Sequence, residues 1–224
     1  MRNPIMIGPG PSTSDHASFE RIIFFSDAVI AIAITLLALE IRVPHVEDVA
    51  QLDTAIRDLL PKIAIYALSF ILVASFWLGH HRLFRLIHSY DDRLIVLNVL
   101  FLMGVAFLPV PSAALGEHGP ERPVVIFFSA CYVFIGLTEF GVWWYASSRH
   151  RLVAPDLSDH VIRYVSYRLL VPVVVFAISI LIALFDPLLA MLWWITIFFA
   201  FMLLSRWFRL SQERAESSPA ASTE

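Results

Sequence analysis

The chain has 224 residues, of which 58% are hydrophobic and only 16% are charged, and its mean hydropathy is +0.74. Soluble domains are about half apolar and about a quarter charged, so this composition excludes a water-soluble enzyme and a disordered chain. The net charge of −3 argues against a nucleic-acid binder, and the single cysteine, Cys131, excludes a disulfide framework or a thiol-rich metal site. The composition indicates an integral membrane protein.

Six apolar runs follow one another along the chain, each close to the ~20 residues that a helix needs to cross the hydrocarbon core. Backbone polar groups in lipid must be satisfied within the segment, and none of the runs alternates with period two, so we expect helices rather than a membrane barrel. Pro109 and Pro111 are expected to close the third run, because proline cannot continue a helix. The six predicted spans cover residues 22–41, 63–83, 94–110, 124–145, 169–185 and 188–204.

The segments outside the spans divide the chain into three parts. Residues 1–14 and 211–224 are rich in small and polar residues and predict a flexible arm and a flexible tail. Residues 15–210 are predicted to form one six-helix membrane domain. Within this domain, residues 49–60 place apolar side chains on one side and predict a short amphipathic helix outside the membrane.

Basic residues are distributed unevenly over the predicted loops. The termini and the even-numbered loops hold twelve arginines, whereas the odd-numbered loops hold four basic residues. Loops rich in arginine and lysine stay in the cytoplasm. The distribution therefore predicts that both termini are cytoplasmic.

The first predicted span carries polar side chains where lipid is expected. Arg21, Ser26 and Asp27 lie near its start, and ionisable residues in a membrane helix are costly and therefore candidates for function. At about 100° per residue, Asp27 points away from a narrow, mostly apolar stripe whose positions are spaced alternately by four and three. We call it the α1 stripe, after the first predicted helix, and it consists of Arg21, Phe25, Ala28, Ile32, Thr35 and Leu39. Periodicity alone favours a packing seam for the stripe, but it leaves the polar cluster unexplained.

The second predicted span ends with adjacent histidines. His80 and His81 project about 100° apart and lack the i, i+4 spacing of a helical zinc pair, so we expect no resident metal. We expect one of them to hydrogen-bond the Asp27 end of the first span, with Asn98 of the third span at the same depth. Trp77 lies near a span end, where aromatic residues are typical anchors at the membrane–water interface.

Two further carboxylates are candidates. Glu139 lies in the fourth span, and its interpretation as a relay or pore residue competes with that of a structural carboxylate whose partners satisfy it. Glu40 lies at the outer end of the first span, where a ring of acidic groups could concentrate cations at a pore mouth. The sequence contains no convergent nucleophile, base or metal ligands, so we expect neither an enzyme nor a cofactor.

The start of the first span has the pattern Arg-x-x-x-Phe-Ser-Asp, formed by Arg21, Phe25, Ser26 and Asp27. This pattern resembles the hallmark of the TMEM175 family of potassium channels. The second-span pattern also fits that family, and it consists of Trp77, His80, His81 and Phe84. The resemblance in helix number and order covers residues 18–210.

The resemblance implies an all-α integral membrane protein with six transmembrane helices, whose first helix lines a central pore in a homotetramer. Animal members of the family carry two six-helix repeats, and this chain has one, so it is similar to a prokaryotic member in the cell membrane. The resemblance further implies that K⁺ is the permeant ion and that the chain has no cofactor and no nucleic-acid partner.

By carry-over from the family, the pore constriction is formed by Ile32, Thr35 and Leu39, which lie on the α1 stripe. Isoleucine and leucine rings would form a narrow apolar constriction that closes by dewetting, while the Thr35 hydroxyls would replace some water lost by K⁺. At the α-helical rise, the three rings are about 4.5 and 6 Å apart. The remaining motif residues would form a structural network that pins the pore helix: Arg21, Phe25, Ser26, Asp27, Trp77, His80, His81 and Asn98.

Two alternatives stay open. The chain could be a proton-coupled secondary transporter with Asp27, His80 or Glu139 as a proton relay. It could also be a membrane-embedded enzyme or a scaffold without transport activity. A tetramer would favour a central pore, whereas a monomer would favour the transporter.

Overall fold

The computed structural model describes the backbone of residues 13–42 and 49–217, and the side chains of residues 17–42 and 51–208. Within this part of the chain, six helical segments are long and apolar enough to cross a membrane, which confirms the six predicted spans. The segments are Ala17–Glu40, Gln51–Phe84, Asp92–His118, Arg122–His150, Asp159–Ala183 and Pro187–Phe208.

Nine α-helices build these segments in the described ranges. They are α1 Thr13–Leu36, α2 Val49–Arg57, α3 Leu60–Phe84, α4 Asp92–Phe107, α5 Pro109–His118, α6 Arg122–Ser147, α7 Asp159–Ala183, α8 Pro187–Trp193 and α9 Thr196–Ser217. Short 3-10 turns follow α1 and α6. Helix α2 falls within the segment predicted to form a short helix. Residues 13–14 and 211–217 of the predicted arm and tail are helical, and the rest of both lies outside the described residues.

Several helices begin at side chains that accept hydrogen bonds from the first turn. Asp91 Oδ1 accepts from the backbone N–H of Leu94 at 2.9 Å, and Asp186 Oδ1 accepts from the N–H groups of Leu188 and Leu189 at 2.9 and 3.1 Å. The first N–H groups of a helix have no partner within it, so these caps fix where α4 and α8 begin.

The third and sixth spans differ from their predicted form. Proline does end α4 at Phe107, but Pro109 then starts α5, because the first turn of a helix does not need the missing N–H. The third span therefore continues to His118 rather than ending near Val110. The sixth span is interrupted between α8 and α9.

Helix α6 lies at the centre of the bundle, between α4 and α7. Two glycines allow the close approach: a Cβ atom at Gly104 would lie 2.8 Å from Ile135 Cγ1, and one at Gly136 would lie 2.7 Å from Val173 Cγ2. Small residues at helix contacts are how membrane helices gain van der Waals packing, since lipid tails supply little hydrophobic driving force. Helix α1 packs on the side of this core, against α3 and α4.

Candidate functional site

Helix α1 has one buried and one exposed face. Ser26, Ile30, Ala33 and Leu37 are at most 2% exposed and lie on the side that packs against the rest of the chain. All six residues of the α1 stripe are exposed, including Ile32 at 58% and Leu39 at 65%. The stripe is therefore not a packing seam within one chain. It is a mostly apolar face available to lipid, to other copies or to a lumen.

The C-terminal half of the stripe has a distinct geometry. Thr35 Oγ1 donates a 2.8 Å hydrogen bond to the carbonyl oxygen of Ile32, so the hydroxyl proton is used within the helix and the oxygen lone pairs remain free. Leu39 lies in the 3-10 turn Leu37–Glu40 rather than in the α-helix. Because a 3-10 turn rises about 2 Å per residue, Leu39 lies about 7 Å beyond Thr35 along the axis, further than an uninterrupted α-helix would place it.

Asp27 is held by a tryptophan from α3. Trp77 Nε1 donates to Asp27 Oδ1 at 2.8 Å. The indole N–H, which would face water in an interfacial anchor, is instead used within the protein. The contact fits the expectation that Trp77 belongs to the network that holds the first helix, because a carboxylate on α1 is a strong partner for its N–H.

Ser26 is linked to α4 and α3 by a buried chain of hydrogen bonds. Asn98 Nδ2 donates to Ser26 Oγ at 2.9 Å, and Ser26 Oγ in turn donates to the carbonyl oxygen of Ile22 at 2.9 Å. Asn98 Oδ1 lies 2.9 Å from His80 Nε2, which must donate because a carbonyl oxygen only accepts. His80 thus reaches α1 through Asn98 and Ser26, and not through Asp27.

The two histidines lie in different surroundings. His80 is 1% exposed, and its ring stacks on Phe84 and Phe101 at centroid distances of 4.4 and 5.0 Å. His81 is exposed, with its ring 5.9 Å from that of Trp77. Only His80 belongs to the hydrogen-bonded chain, and its stacked ring is fixed in orientation.

Arg21 and Phe25 lie apart from these hydrogen bonds. Both are exposed on the α1 stripe. Among the side chains that the structure describes, the only ion pair joins Arg57 to Asp53 on α2, so Arg21 and Asp27 do not pair within the chain. The structure thus brings together Ser26, Asp27, Trp77, His80 and Asn98, and leaves the first two motif residues facing outwards.

The two additional carboxylates have unlike surroundings. Glu139 is 2% exposed, and its Oε1 atom has no hydrogen-bond partner among the described residues. Glu40 is exposed beside a cavity of about 270 Å³ that is also lined by Arg42, Lys62 and Glu117. The region that follows the C-terminal end of α1 therefore carries charges of both signs.

Comparison with known proteins identifies relatives of this chain. The family model described as "Endosomal/lysosomal potassium channel TMEM175" matches residues 21–109. A potassium channel of Streptomyces collinus is 35% identical over 139 residues, which are 60% of this chain and 68% of that protein. The human endosomal/lysosomal proton channel TMEM175 is 31% identical over 140 residues, 62% of this chain but only 28% of the human protein.

The fold has a counterpart among solved structures. The crystal structure of a lysosomal potassium-selective channel TMEM175 homolog from Chamaesiphon minutus superimposes with a TM-score of 0.69 and 26% sequence identity. The superposition covers 87% of this chain and 98% of that one. The matched family segment contains α1 from Arg21 onwards and all of α3 and α4, which are the helices that carry the site described above.

Proposed function

Because this chain belongs to the TMEM175 family, we propose that it is a potassium-permeable channel that conducts passively through a pore lined by α1. The observation that carries the proposal is that all six residues of the α1 stripe are exposed, whereas the opposite face of α1 is buried in the chain. In a homotetramer with a central axis beside α1, the stripes of the copies face one another around a lumen. An ion channel needs no catalytic residues, and the proposal includes none.

The constriction is formed by Ile32, Thr35 and Leu39. Rings of isoleucine and leucine side chains leave no polar group to replace the water of a hydrated cation, so the pore closes by dewetting when it is narrow. K⁺ crosses such a barrier more easily than Na⁺ because it gives up its hydration shell at a lower cost. Selectivity is therefore modest, since few protein oxygens compensate the ion.

Thr35 supplies the polar group of the constriction. Its hydroxyl proton is donated to the Ile32 carbonyl, so the oxygen presents lone pairs rather than a proton to the lumen. A ring of these oxygens attracts a partly dehydrated cation between two apolar rings. This arrangement favours cations over anions without a charged side chain.

The hydrogen bonds on the buried face of α1 hold the helix in place. Asp27 is tied to α3 through Trp77, and Ser26 to α4 through Asn98. A pore radius depends on the position of its lining helix to a fraction of an ångström, so a rigid attachment favours a fixed constriction. Arg21 and Phe25, which face outwards, are available to neighbouring copies.

The orientation follows from the distribution of charge. With both termini in the cytoplasm, the Asp27 end of α1 faces the cytoplasm and Glu40 faces the outside. In this orientation Leu39 lies at the outer side of the constriction and Ile32 at its cytoplasmic side, and K⁺ crosses it in the direction of its gradient.

Proton conduction is the second candidate, because the human relative is named a proton channel. A proton pathway, whether in a channel or in a proton-coupled transporter, requires a relay of titratable side chains that reaches the lumen of the pore. His80 does not meet this requirement, because it is buried and hydrogen-bonded to Asn98. Both candidates are resolved by measuring K⁺ and H⁺ fluxes in the same vesicles.

The test uses the purified full chain in liposomes that contain K⁺, with flux measured under a K⁺ gradient and no other ion gradient. We expect passive K⁺ flux, and a higher flux in Ile32→Asn and in Leu39→Asn, because an amide wets the constriction. The matched control is Val96→Asn, on the exposed face of α4. Flux that needs a proton gradient, or that is unchanged in both pore variants, would overturn the proposal.

A further inference from the structure

A cavity of about 160 Å³ lies inside the helix bundle, away from the α1 stripe. It is formed by α3, α6, α7 and α9, and none of the described side chains of α1 lines it. Its polar lining comes from Glu139, Arg168 and Ser75. A cavity of this size among membrane helices holds several water molecules or a small polar group.

Glu139 is built into this cavity with an unused acceptor. The side chain is 2% exposed, and Oε1 has no hydrogen-bond partner. It packs closely against α3 at Gly79, where a Cβ atom would lie 3.1 Å from Oε1. A buried carboxylate oxygen without a donor costs free energy, and it is found where a ligand or water supplies that donor.

Arg168 places the opposite charge in the same cavity. Its guanidinium carbon lies 5.1 Å above the ring of Phe201, which holds the charged group beside the cavity. No ion pair joins it to Glu139 among the described side chains. Both ionisable side chains thus line the cavity without forming an ion pair with each other.

A second, smaller cavity extends the site towards one end of the bundle. It has a volume of about 80 Å³ and shares Gly79, Arg168 and Leu169 with the first. Arg82 and Tyr164 line its other side. The two cavities adjoin each other, and we refer to them together as the crevice; Glu139 lines the larger cavity, Arg82 lines the smaller one, and Arg168 lines both.

The crevice also borders the apolar outer surface of the bundle. Leu78 and Phe198 line the larger cavity and are 42% and 49% exposed. In a membrane these side chains meet acyl chains, so a molecule lying in the adjacent leaflet can insert its headgroup while its tails remain in lipid.

We propose that this crevice binds the headgroup of phosphatidylethanolamine. The ammonium of this lipid donates to the Glu139 carboxylate, and its phosphate accepts from Arg168, with Arg82 nearby. A lone metal cation leaves Arg168 uncompensated, and a purely anionic headgroup leaves Glu139 without a donor. A headgroup with both a primary ammonium and a phosphate matches both charges.

The proposal is tested by native mass spectrometry of the purified, delipidated protein, without reference to ion flux. Four lipids with identical acyl chains are added: phosphatidylethanolamine, its N-methyl and N,N-dimethyl derivatives, and phosphatidylcholine. Each methylation removes one N–H donor. We expect retention to fall along the series, with phosphatidylcholine bound about tenfold more weakly, equivalent to about 1.4 kcal/mol. Equal retention of the four lipids overturns the proposal and leaves water as the occupant.

Two variants locate the effect. Glu139→Gln removes the preference for phosphatidylethanolamine over phosphatidylcholine, whereas Glu121→Gln, at an exposed position at the start of α6, retains it. Arg168→Gln weakens retention of all four lipids, and the exposed Arg163→Gln on the same helix does not. A preference that survives Glu139→Gln, or stronger binding of phosphatidylglycerol than of phosphatidylethanolamine to the unaltered protein, contradicts the proposal. If Glu139→Gln fails to assemble, the methylation series on the unaltered chain decides alone.

Discussion

Trp77 Nε1 and Asp27 Oδ1 lie 2.8 Å apart, although the two residues are separated by fifty positions in the chain. The bond joins α1 to α3 at the end of the proposed pore helix where Ser26 also bonds to Asn98. Two neighbouring residues of α1 are thus tied to two different helices. Rotation of α1 about its axis would break both attachments.

We expect Asp27→Asn and Trp77→Phe to be non-additive. Each single change weakens the same hydrogen bond, so a double-mutant cycle should give a coupling of about 1 kcal/mol, near the upper part of the range for hydrogen bonds between membrane helices. The measurement is thermal unfolding of the detergent-solubilised protein. The control is Trp144→Phe, an exposed tryptophan on α6, combined with Asp27→Asn. Additive effects for Trp77 would mean that the bond contributes nothing to stability.

Because α6 and α7 approach each other closely, the effect of a glycine-to-alanine substitution on stability should depend strongly on its position along α6. Gly136→Ala places a Cβ atom 2.7 Å from Val173 Cγ2 and should destabilise the protein by about 1–3 kcal/mol. Gly141→Ala, on the same helix, has no atom within 4 Å of the new Cβ and should be neutral or stabilising by up to about 1 kcal/mol.

The contact between positions 136 and 173 can be tested by a second substitution. Val173→Ala removes the clashing methyl groups, so the double variant Gly136→Ala/Val173→Ala should recover part of the stability lost by Gly136→Ala alone. Equal unfolding temperatures for Gly136→Ala and Gly141→Ala would show that the helices can separate at no cost.

Asp91 predicts a dependence of stability on pH. Desolvation raises the pKa of this carboxyl group. Hydrogen bonds from Tyr145 Oη and from the Leu94 N–H, together with the positive charge of Arg151, lower the pKa by more than desolvation raises it. The pKa is therefore below its ordinary value of 3.8. A carboxyl group whose pKa is depressed on folding stabilises the protein above its unfolded pKa, and this contribution is lost as the pH falls through the folded pKa. We therefore expect the free energy of unfolding to decrease below about pH 4.

Unfolding midpoints between pH 3 and pH 7 test this expectation. Tyr145→Phe removes one of the bonds that lower the pKa, so its pH dependence should be weaker than that of the unaltered protein. Asp91→Asn should be less stable near neutral pH, since an ionised N-cap is lost, and should show less change with pH. If the unfolding midpoints of all three proteins changed equally with pH, the loss of stability at low pH would come from groups other than Asp91.

Thr35→Val tests the contribution of the hydroxyl to ion selection. Valine has nearly the same shape but no oxygen, so the ratio of K⁺ to Na⁺ permeability should fall by about fivefold, equivalent to about 1 kcal/mol. Reversal potentials under bi-ionic conditions give this ratio. The control is Thr54→Val on α2, exposed and outside the α1 stripe. An unchanged ratio in Thr35→Val would remove Thr35 from the selective part of the pore.

The residues of the α1 stripe could be grouped from sequence, because 3.6 residues per turn place them on one side of a single helix. Periodicity could not show that this side is exposed and that Ser26, Ile30, Ala33 and Leu37 are buried, because exposure depends on which face packs against α3 and α4. The 3-10 turn at Leu37–Glu40 could not be derived in this way, since nothing in the local sequence marks the end of the α-helix at Leu36.

Partners distant in the chain were harder to identify. The expectation that Asn98 lies level with Asp27 required only helix lengths, and Asn98 indeed bonds to the adjacent Ser26. The partner of Trp77 depends on how α1 rotates against α3, which no local pattern encodes, so its position suggested an anchor instead. The rule that proline ends a helix held for α4 but did not predict that Pro109 begins another.

The separation of faces on α1 has a consequence for how such a protein can vary. The residues facing the proposed lumen make few contacts within their own chain, so a change there alters what passes through the membrane while the subunit folds as before. The residues on the opposite face have no such freedom. Ion preference can thus be altered by single substitutions along one line of a helix, with folding yield preserved at each step.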